Sequence, residues 1–308
     1  MQEVHMGEEK IKWYKSPTVT TPILVIFVLI MLRLSSNVLA SQQNGNIFLN
    51  IAIVQIAVLV LPCIFYYFIK ERKLSTPVFL SVLKPSHIVF TIFTLLLFIS
   101  GSILIQYLYI IGGGQGTSIA GFFDSVTDLS AEDSNIGIII SFIVVPAVCE
   151  EFFFRGLVLS EYRSLGSANA VIISALCFAM LHCSMDNFPI YFFTGIVLGF
   201  VTVVTRSIIS AIIIHLVSNT LSIYGSDMFL RIIIQKSNKF FVFFLILVVF
   251  GLSLLFVFSK LEQIYFSYAE KPPITSIPPK SFPNISRVFL SPTFLLLIAV
   301  FIFITVLR

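Results

Sequence analysis

The stretch VVPAVCEEFFFRGLVL, residues 144–159, places Glu150, Glu151 and Arg155 within an otherwise apolar run. A charged side chain at the centre of a membrane helix costs about 2.5–3.5 kcal/mol or more, so ionisable residues found there are candidates for a functional site. If this run crosses a bilayer, its three charged residues mark the part of the chain where function is most strongly indicated.

The composition of the whole chain supports a membrane setting for this run. Of 308 residues, 57% are hydrophobic and only 11% are charged, whereas a soluble domain has about 25% charged residues. Apolar segments close to the ~20 residues needed to span a bilayer recur along the chain. We therefore predict an all-α, polytopic transmembrane helix bundle of about 8–9 spans. The candidate spans are 22–40, 47–69, 88–111, 136–160, 168–185, 188–205, 208–224, 240–258 and 288–307.

We expect one helical bundle with short additions at its ends. Residues 1–21 form a basic N-terminal segment and residues 22–260 the bundle, whose functional core lies at about 136–224. Prolines at 272, 273, 278 and 279 predict an extended linker over 261–287. Residues 288–308 then form an additional C-terminal transmembrane helix.

The distribution of basic residues predicts a cytoplasmic N-terminus. Lysine and arginine precede the first span and fill the loop after the second, whereas the loop at 112–135 is acidic and should face outward. A basic group at 231–239 opposes this orientation. The basic positions used are Lys10, Lys12, Lys15, Lys70, Arg72, Lys73 and Lys84, and the opposing ones are Arg231, Lys236 and Lys239. The chain is expected in a bacterial plasma membrane, because its richness in Ile, Phe, Ser and Lys is typical of low-GC bacteria.

Helical geometry assigns different roles to the two adjacent glutamates. Glu151 and Arg155 are four residues apart, with the acid first, so they share a helix face and can form an ion pair. Glu150 is rotated about 100° from Glu151 and is not paired by the same contact. We therefore assign Glu151 and Arg155 to structural support and Glu150 to chemistry. The alternative is a packing network formed by all three charges.

Two further apolar segments carry polar residues suited to the same site. Phe178 and His182 are four residues apart in FAMLH, as are His215 and Asn219 in IIIHLVSN. Either histidine alone is more typical of a buried core residue. A carboxylate, two imidazoles and an amide on neighbouring helices are, however, the groups that hydrolysis requires: a base for water and donors for the developing oxyanion, which neutral His and Asn can supply.

Together, Glu150-Glu151-x-x-x-Arg155, Phe178-x-x-x-His182 and His215-x-x-x-Asn219 resemble the motifs of the CPBP family. This family contains CAAX prenyl endopeptidases and the Abi proteins of bacteriocin processing or immunity. The resemblance implies an intramembrane endopeptidase that cuts near the C-terminus or in a membrane-proximal segment of a peptide or protein. It also implies that Glu150 and His182 activate water, while His215 and Asn219 stabilise the oxyanion and Phe178 supports the site.

The chemistry at these residues has two alternatives. The family is also described as metal-dependent, and Glu150, His182 and His215 are a possible zinc-ligand set, in which case Glu151 or another group would be the base. No cofactor is certain from the sequence. Cys149 and Cys183 adjoin site residues, but neighbours in a helical sequence point in different directions, which disfavours a thiol nucleophile.

Two other classes of function compete with the enzyme. One is a non-enzymatic bacteriocin self-immunity or membrane scaffold protein that uses the same bundle to bind a partner. The other is a transporter with a Glu/His proton relay, although no paired half-repeats are evident. The expected partners are a peptide or protein substrate and the lipid bilayer, with no nucleic acid because the chain lacks a basic stripe; the oligomeric state is not predicted.

Overall fold

A computed structural model of the chain describes residues 16–40, 47–70, 78–113, 135–225, 239–267 and 281–306. These residues form ten helices, and the described ranges contain no strand beyond an isolated bridge between Leu80 and Ser207. The predicted all-α bundle is therefore confirmed. The helices are α1 Pro17–Ala40, α2 Ile47–Ile69, α3 Ile88–Ile111, α4 Asn135–Leu165, α5 Ser167–Leu181, α6 Phe188–Thr205, α7 Ile208–Tyr224, α8 Lys239–Ser267, α9 Ser281–Phe289 and α10 Pro292–Val306.

Nine of these helices are apolar enough to lie within a membrane, but they differ in length. Six are long enough to cross it, namely α1, α2, α3, α4, α6 and α8. The other three, α5, α7 and α10, have 15 to 17 residues and are about 22–26 Å long, less than the ~30 Å hydrocarbon layer. Two of the short helices, α5 and α7, carry the histidine motifs.

Helix α4 is continuous but irregular, and its irregular turns flank the two glutamates. A wide, π-helical turn at Ile139–Val144 precedes the regular segment Val145–Glu151, and a second one at Phe152–Val158 follows it. Pro146 accounts for the first, because it has no N–H to continue the regular ladder. The N–H of Val145 instead bonds to the carbonyl of Ile140, five residues back. Such turns are frequent at functional sites.

The helices form two packed groups. Apolar side chains of α1, α2, α4, α5 and α10 form one core, and those of α3, α6, α7 and α8 form the other. Helix α5 packs along α6, while α7 packs against α4 and α6, which joins the two groups. The glutamate motif and both histidine motifs therefore lie where the two groups meet.

The closest approach between the groups is made by glycines of α6. A Cβ atom at Gly195 would lie 2.6 Å from the Cα of Ala175 in α5, and one at Gly199 would lie 3.1 Å from Val171. Small residues four apart let membrane helices pack backbone to backbone. The Gly195–Gly199 spacing, interpreted from the sequence as a packing motif, has this role.

The linker expected at 261–287 is helical at both ends. Helix α8 continues to Ser267, beyond the predicted end of the bundle at 260, because no proline or glycine interrupts Leu261 to Ser267. Helix α9 occupies 281–289, and its Pro283 lies in the first turn, where a missing N–H breaks no helical hydrogen bond. Extended chain was therefore the wrong expectation for these two ends; residues 268–280 lie outside the described ranges.

Helix α5 is also shorter than predicted. It ends at Leu181 rather than at 185, because Cys183 adopts a left-handed backbone conformation with φ of 47°. His182 therefore caps the helix instead of lying within it. The basic residues before position 16, the acidic residues at 124–133, and Arg231 and Lys236 lie outside the described ranges, so the orientation remains a prediction.

Gly195→Ala is expected to destabilise the bundle, whereas Gly251→Ala in α8 is not. The new methyl group at 195 would collide with backbone and force α5 and α6 apart, at a cost of about 1–3 kcal/mol. At Gly251 a Cβ meets nothing within 4 Å, and alanine there should be neutral or stabilise the helix by up to about 1 kcal/mol. Thermal unfolding of the detergent-solubilised variants, followed by circular dichroism, measures the difference. Equal melting temperatures would contradict the proposed close packing.

Candidate active site

A fully buried ion pair lies at the centre of the bundle. Arg155 Nη1 donates to Glu151 Oε1 at 2.7 Å, and neither side chain is exposed to solvent. Arg155 Nη2 also donates to the carbonyl oxygen of Gly195 in α6 at 3.2 Å. The guanidinium thus links α4 to α6 and neutralises a carboxylate that could not otherwise remain ionised in the bundle interior.

Glu151 has a second partner in His215 of α7. The His215 Nδ1 atom lies 2.7 Å from the same Glu151 oxygen that Arg155 contacts. Because Arg155 holds this oxygen as an ionised acceptor, the proton between the two groups resides on Nδ1. Glu151 therefore fixes the orientation of His215, and the Nε2 atom of a neutral His215 presents a lone pair.

Glu150 faces His215 from the other side. Its Oε2 atom lies 3.9 Å from His215 Nε2, which is beyond hydrogen-bond distance, and it has no hydrogen-bond partner among the described residues. The Glu150 side chain is 17% exposed, whereas Glu151 is completely buried. Of the two adjacent carboxylates, Glu150 is the one that does not pair with Arg155 and whose side chain is partly exposed.

His182 lies at the end of α5 with its imidazole held by its own helix. Its Nδ1 atom is 2.9 Å from the carbonyl oxygen of Phe178. Because a carbonyl oxygen only accepts, Nδ1 carries the proton and Nε2 is left as an acceptor. The imidazole interacts electrostatically with Glu150 and with His215.

Phe178 is the common neighbour of these groups. Its buried ring lies 4.7 Å from the His182 ring and 5.8 Å from the His215 ring, measured between centroids. The Arg155 guanidinium lies over the same ring at 4.8 Å. The Phe178 ring therefore contacts both imidazoles and the guanidinium of the ion pair.

Asn219 lies one helical turn beyond His215 and is held weakly. Its Nδ2 atom donates to the carbonyl oxygen of Ile143, in the first wide turn of α4, at 3.4 Å. This distance is long for a hydrogen bond. The side chain is partly buried, and its amide can turn to another acceptor at small cost.

The possible zinc set does not form a ligand cage. Within the described ranges, no three His, Cys, Asp or Glu side chains are grouped closely enough to hold a metal ion. Glu150 and His215 are near neighbours, but no described third ligand, His182 included, lies close enough to complete a group with them. The arrangement does not fit the metal alternative, and no step below uses a metal.

Two contributors to this region were not identified from the sequence. Tyr191 of α6 stacks on His182, and the Gly195 carbonyl accepts from Arg155. The spacing of Gly195 and Gly199 predicts only helix packing, and Tyr191 belongs to none of the three motifs. The two cysteines beside site residues offer no nucleophile: Cys149 is buried, and the Cys183 thiol points to the Met180 carbonyl oxygen at 3.7 Å.

Replacing Arg155 by leucine should destabilise the protein by about 3–5 kcal/mol, because it leaves the Glu151 carboxylate buried without its cation. The double variant Glu151→Leu/Arg155→Leu should recover part of this loss. Lys260→Leu is the control, since Lys260 contacts only the exposed Gln263 among the polar groups described, and surface changes usually cost less than about 0.5 kcal/mol. Chemical unfolding in detergent measures all three. An Arg155→Leu variant as stable as Lys260→Leu would contradict a supporting role for the pair.

A comparison with protein families gave one informative match. Residues 132–221 match the model described as Rce1-like, Type II CAAX prenyl endopeptidase Rce1-like, and this segment contains all three motifs. Neither the curated proteins nor the solved structures gave a match. With its long apolar helices, the chain is an integral membrane protein. The resemblance inferred from the motifs is confirmed, because residues 132–221 are similar to the Rce1-like type II CAAX prenyl endopeptidase family.

Proposed function

We propose that this protein is a CAAX-type intramembrane endopeptidase in which Glu150 is the general base. The observation that carries the proposal is the division between the adjacent carboxylates. Both Oε2 atoms lack a hydrogen-bond partner, but Glu151 Oε1 is held by Arg155 and His215 and its side chain is completely buried, whereas Glu150 is partly exposed beside His215 Nε2. The family match supports a peptide or protein as substrate, and we propose cleavage near its C-terminus or in a membrane-proximal segment.

Glu150 and His182 would activate the attacking water together. Glu150 supplies a carboxylate that no described lysine or arginine side chain contacts within ion-pair distance, and His182 presents Nε2 as an acceptor because its Nδ1 proton is engaged by the Phe178 carbonyl. A water held between the two acceptors can give one proton to Glu150 as its oxygen attacks the carbonyl carbon. Low solvent access suits this role, since it strengthens electrostatic interactions within the site.

His215 and Asn219 would stabilise the oxyanion. Neutral His was expected to donate, but His215 uses its Nδ1 proton toward Glu151, so donation from Nε2 requires the imidazolium. In that form the Nε2–H lies on the side of the imidazole that faces Glu150, at 3.9 Å from Glu150 Oε2. Asn219 adds an amide N–H once it leaves its long contact with Ile143. Two such donors match the negative charge that develops on the carbonyl oxygen.

The proton balance closes with Glu150 alone as the carrier. The water oxygen forms a bond to the carbonyl carbon while Glu150 takes a proton. Collapse of the tetrahedral intermediate breaks the C–N bond, and the proton passes from Glu150 to the leaving amine. The first products are a new carboxylic acid and a new amine, and the carboxylate of Glu150 is regenerated. The remaining proton of the acid then passes to the amine, which leaves a carboxylate and an ammonium group.

Glu150→Gln should abolish peptide hydrolysis while the protein remains folded. Loss of the base should lower the rate by about 10²–10⁴-fold, with little change in melting temperature because Glu150 makes no ion pair as short as that of Glu151. Glu262→Gln, an exposed glutamate of α8, is the matched control. Purified proteins in liposomes are incubated with a peptide library, and products are identified by mass spectrometry.

Parallel samples with a chelator, and with zinc added back, separate the mechanisms. The proposal is supported if Glu150→Gln cleaves no peptide and if the wild type still cleaves in the presence of the chelator. If the chelator stops cleavage by the wild type and added zinc restores it, a metal-dependent mechanism would replace the glutamate mechanism. Equal cleavage by wild type and Glu150→Gln would contradict the proposal. Absence of cleavage by all variants would favour the non-enzymatic self-immunity or scaffold function.

A further inference from the structure

The plane of the His182 ring is fixed by a residue outside the three motifs. The ring centroids of His182 and Tyr191 are 3.8 Å apart and the rings are inclined by 21°, which is a stacked arrangement. No other described aromatic ring stacks on His182; the Phe178 ring is tilted by 53° at 4.7 Å. We propose that Tyr191 is the positioning residue for His182, and this inference rests on the proposed function.

His182 needs such a residue because its backbone has left the regular helix. Helix α5 ends at Leu181, and the next residue, Cys183, is left-handed. The bond from Nδ1 to the Phe178 carbonyl fixes one atom of the imidazole, but the ring can still turn about that atom. Contact with the flat face of Tyr191 removes this freedom and thereby determines the direction of Nε2.

The position of Tyr191 is itself fixed by helix packing. Tyr191 lies in the first turn of α6, where its N–H donates to the Asn187 carbonyl at 3.0 Å. It precedes Gly195 by four residues, so the two residues share a helix face. The near contact of Gly195 with Ala175 brings this face against α5. Because the helices are antiparallel neighbours, Tyr191 then reaches the C-terminal end of α5, where His182 lies.

The contact of Tyr191 with His182 uses the ring face, so phenylalanine should replace tyrosine, whereas leucine should not.

The test compares Tyr191→Phe, Tyr191→Leu and the control Phe192→Leu. Phe192 is the adjacent residue of α6 and stacks on Phe188 at 6.3 Å, away from the motif residues. Tyr191→Leu should lower kcat by about 10–100-fold with KM within about threefold, since misplacing a reacting group costs up to ~10²-fold. Tyr191→Phe and Phe192→Leu should remain within about threefold of the wild type. An unchanged kcat for Tyr191→Leu, or an equal loss in Tyr191→Phe, would overturn the proposal.

A second readout does not depend on hydrolysis. In protein with isotope-labelled histidine, the ring protons of His182, assigned with a His182→Gln variant, should show the upfield shift caused by a stacked aromatic ring. This shift should persist in Tyr191→Phe and disappear in Tyr191→Leu. Its absence in the wild type would refute the stacking. If the upfield shift is present in a protein that cleaves no peptide, the stacking of Tyr191 on His182 is correct and the proposed function is wrong.

Discussion

The Glu151 carboxylate binds two partners at once inside the bundle, and the rest of the site depends on that contact. One oxygen accepts from Arg155 of the same helix and from His215 of α7, each at 2.7 Å. Arg155 extends the connection to the backbone of α6 at Gly195. A buried carboxylate that lost these donors would be strongly destabilising, so the network constrains how three helices pack. The same network orients His215 and leaves Glu150 unpaired.

Helix length and helix packing bring the remaining groups to this network. Helix α5 has only 15 residues and ends at Leu181, which leaves His182 at its terminus. The Gly195 contact with Ala175 holds α6 close enough for both its backbone and Tyr191 to reach the motif residues. Phe178 contacts both imidazoles and lies against the guanidinium of the ion pair. Wide turns in α4 on either side of the glutamates alter the regular helical register there.

Much of this organisation could be predicted from the sequence because apolar segments and helical spacing are local signals. The approximate number of apolar helices follows from the lengths of the apolar runs, and the shared face of Glu151 and Arg155 follows from their spacing of four residues. The early end of α5 could not be predicted, since it depends on a left-handed Cys183, and cysteine has no special preference for that conformation. The helical ends of the linker could not be predicted from its prolines, because proline density predicts extended chain and the helices end at Ser267 and begin again at Ser281. The stacking of Tyr191 on His182 depends on tertiary packing, which no spacing within one helix encodes.

The central claim is that two adjacent carboxylates divide support and chemistry between them. It is tested most directly by measuring the melting temperature and the rate of peptide hydrolysis for Glu151→Gln beside Glu150→Gln. We expect Glu151→Gln to lower the melting temperature, because Arg155 and His215 lose their shared anion, and Glu150→Gln to lose hydrolysis at an unchanged melting temperature. The reverse pattern, with a destabilised Glu150→Gln and a stable but inactive Glu151→Gln, would contradict the account.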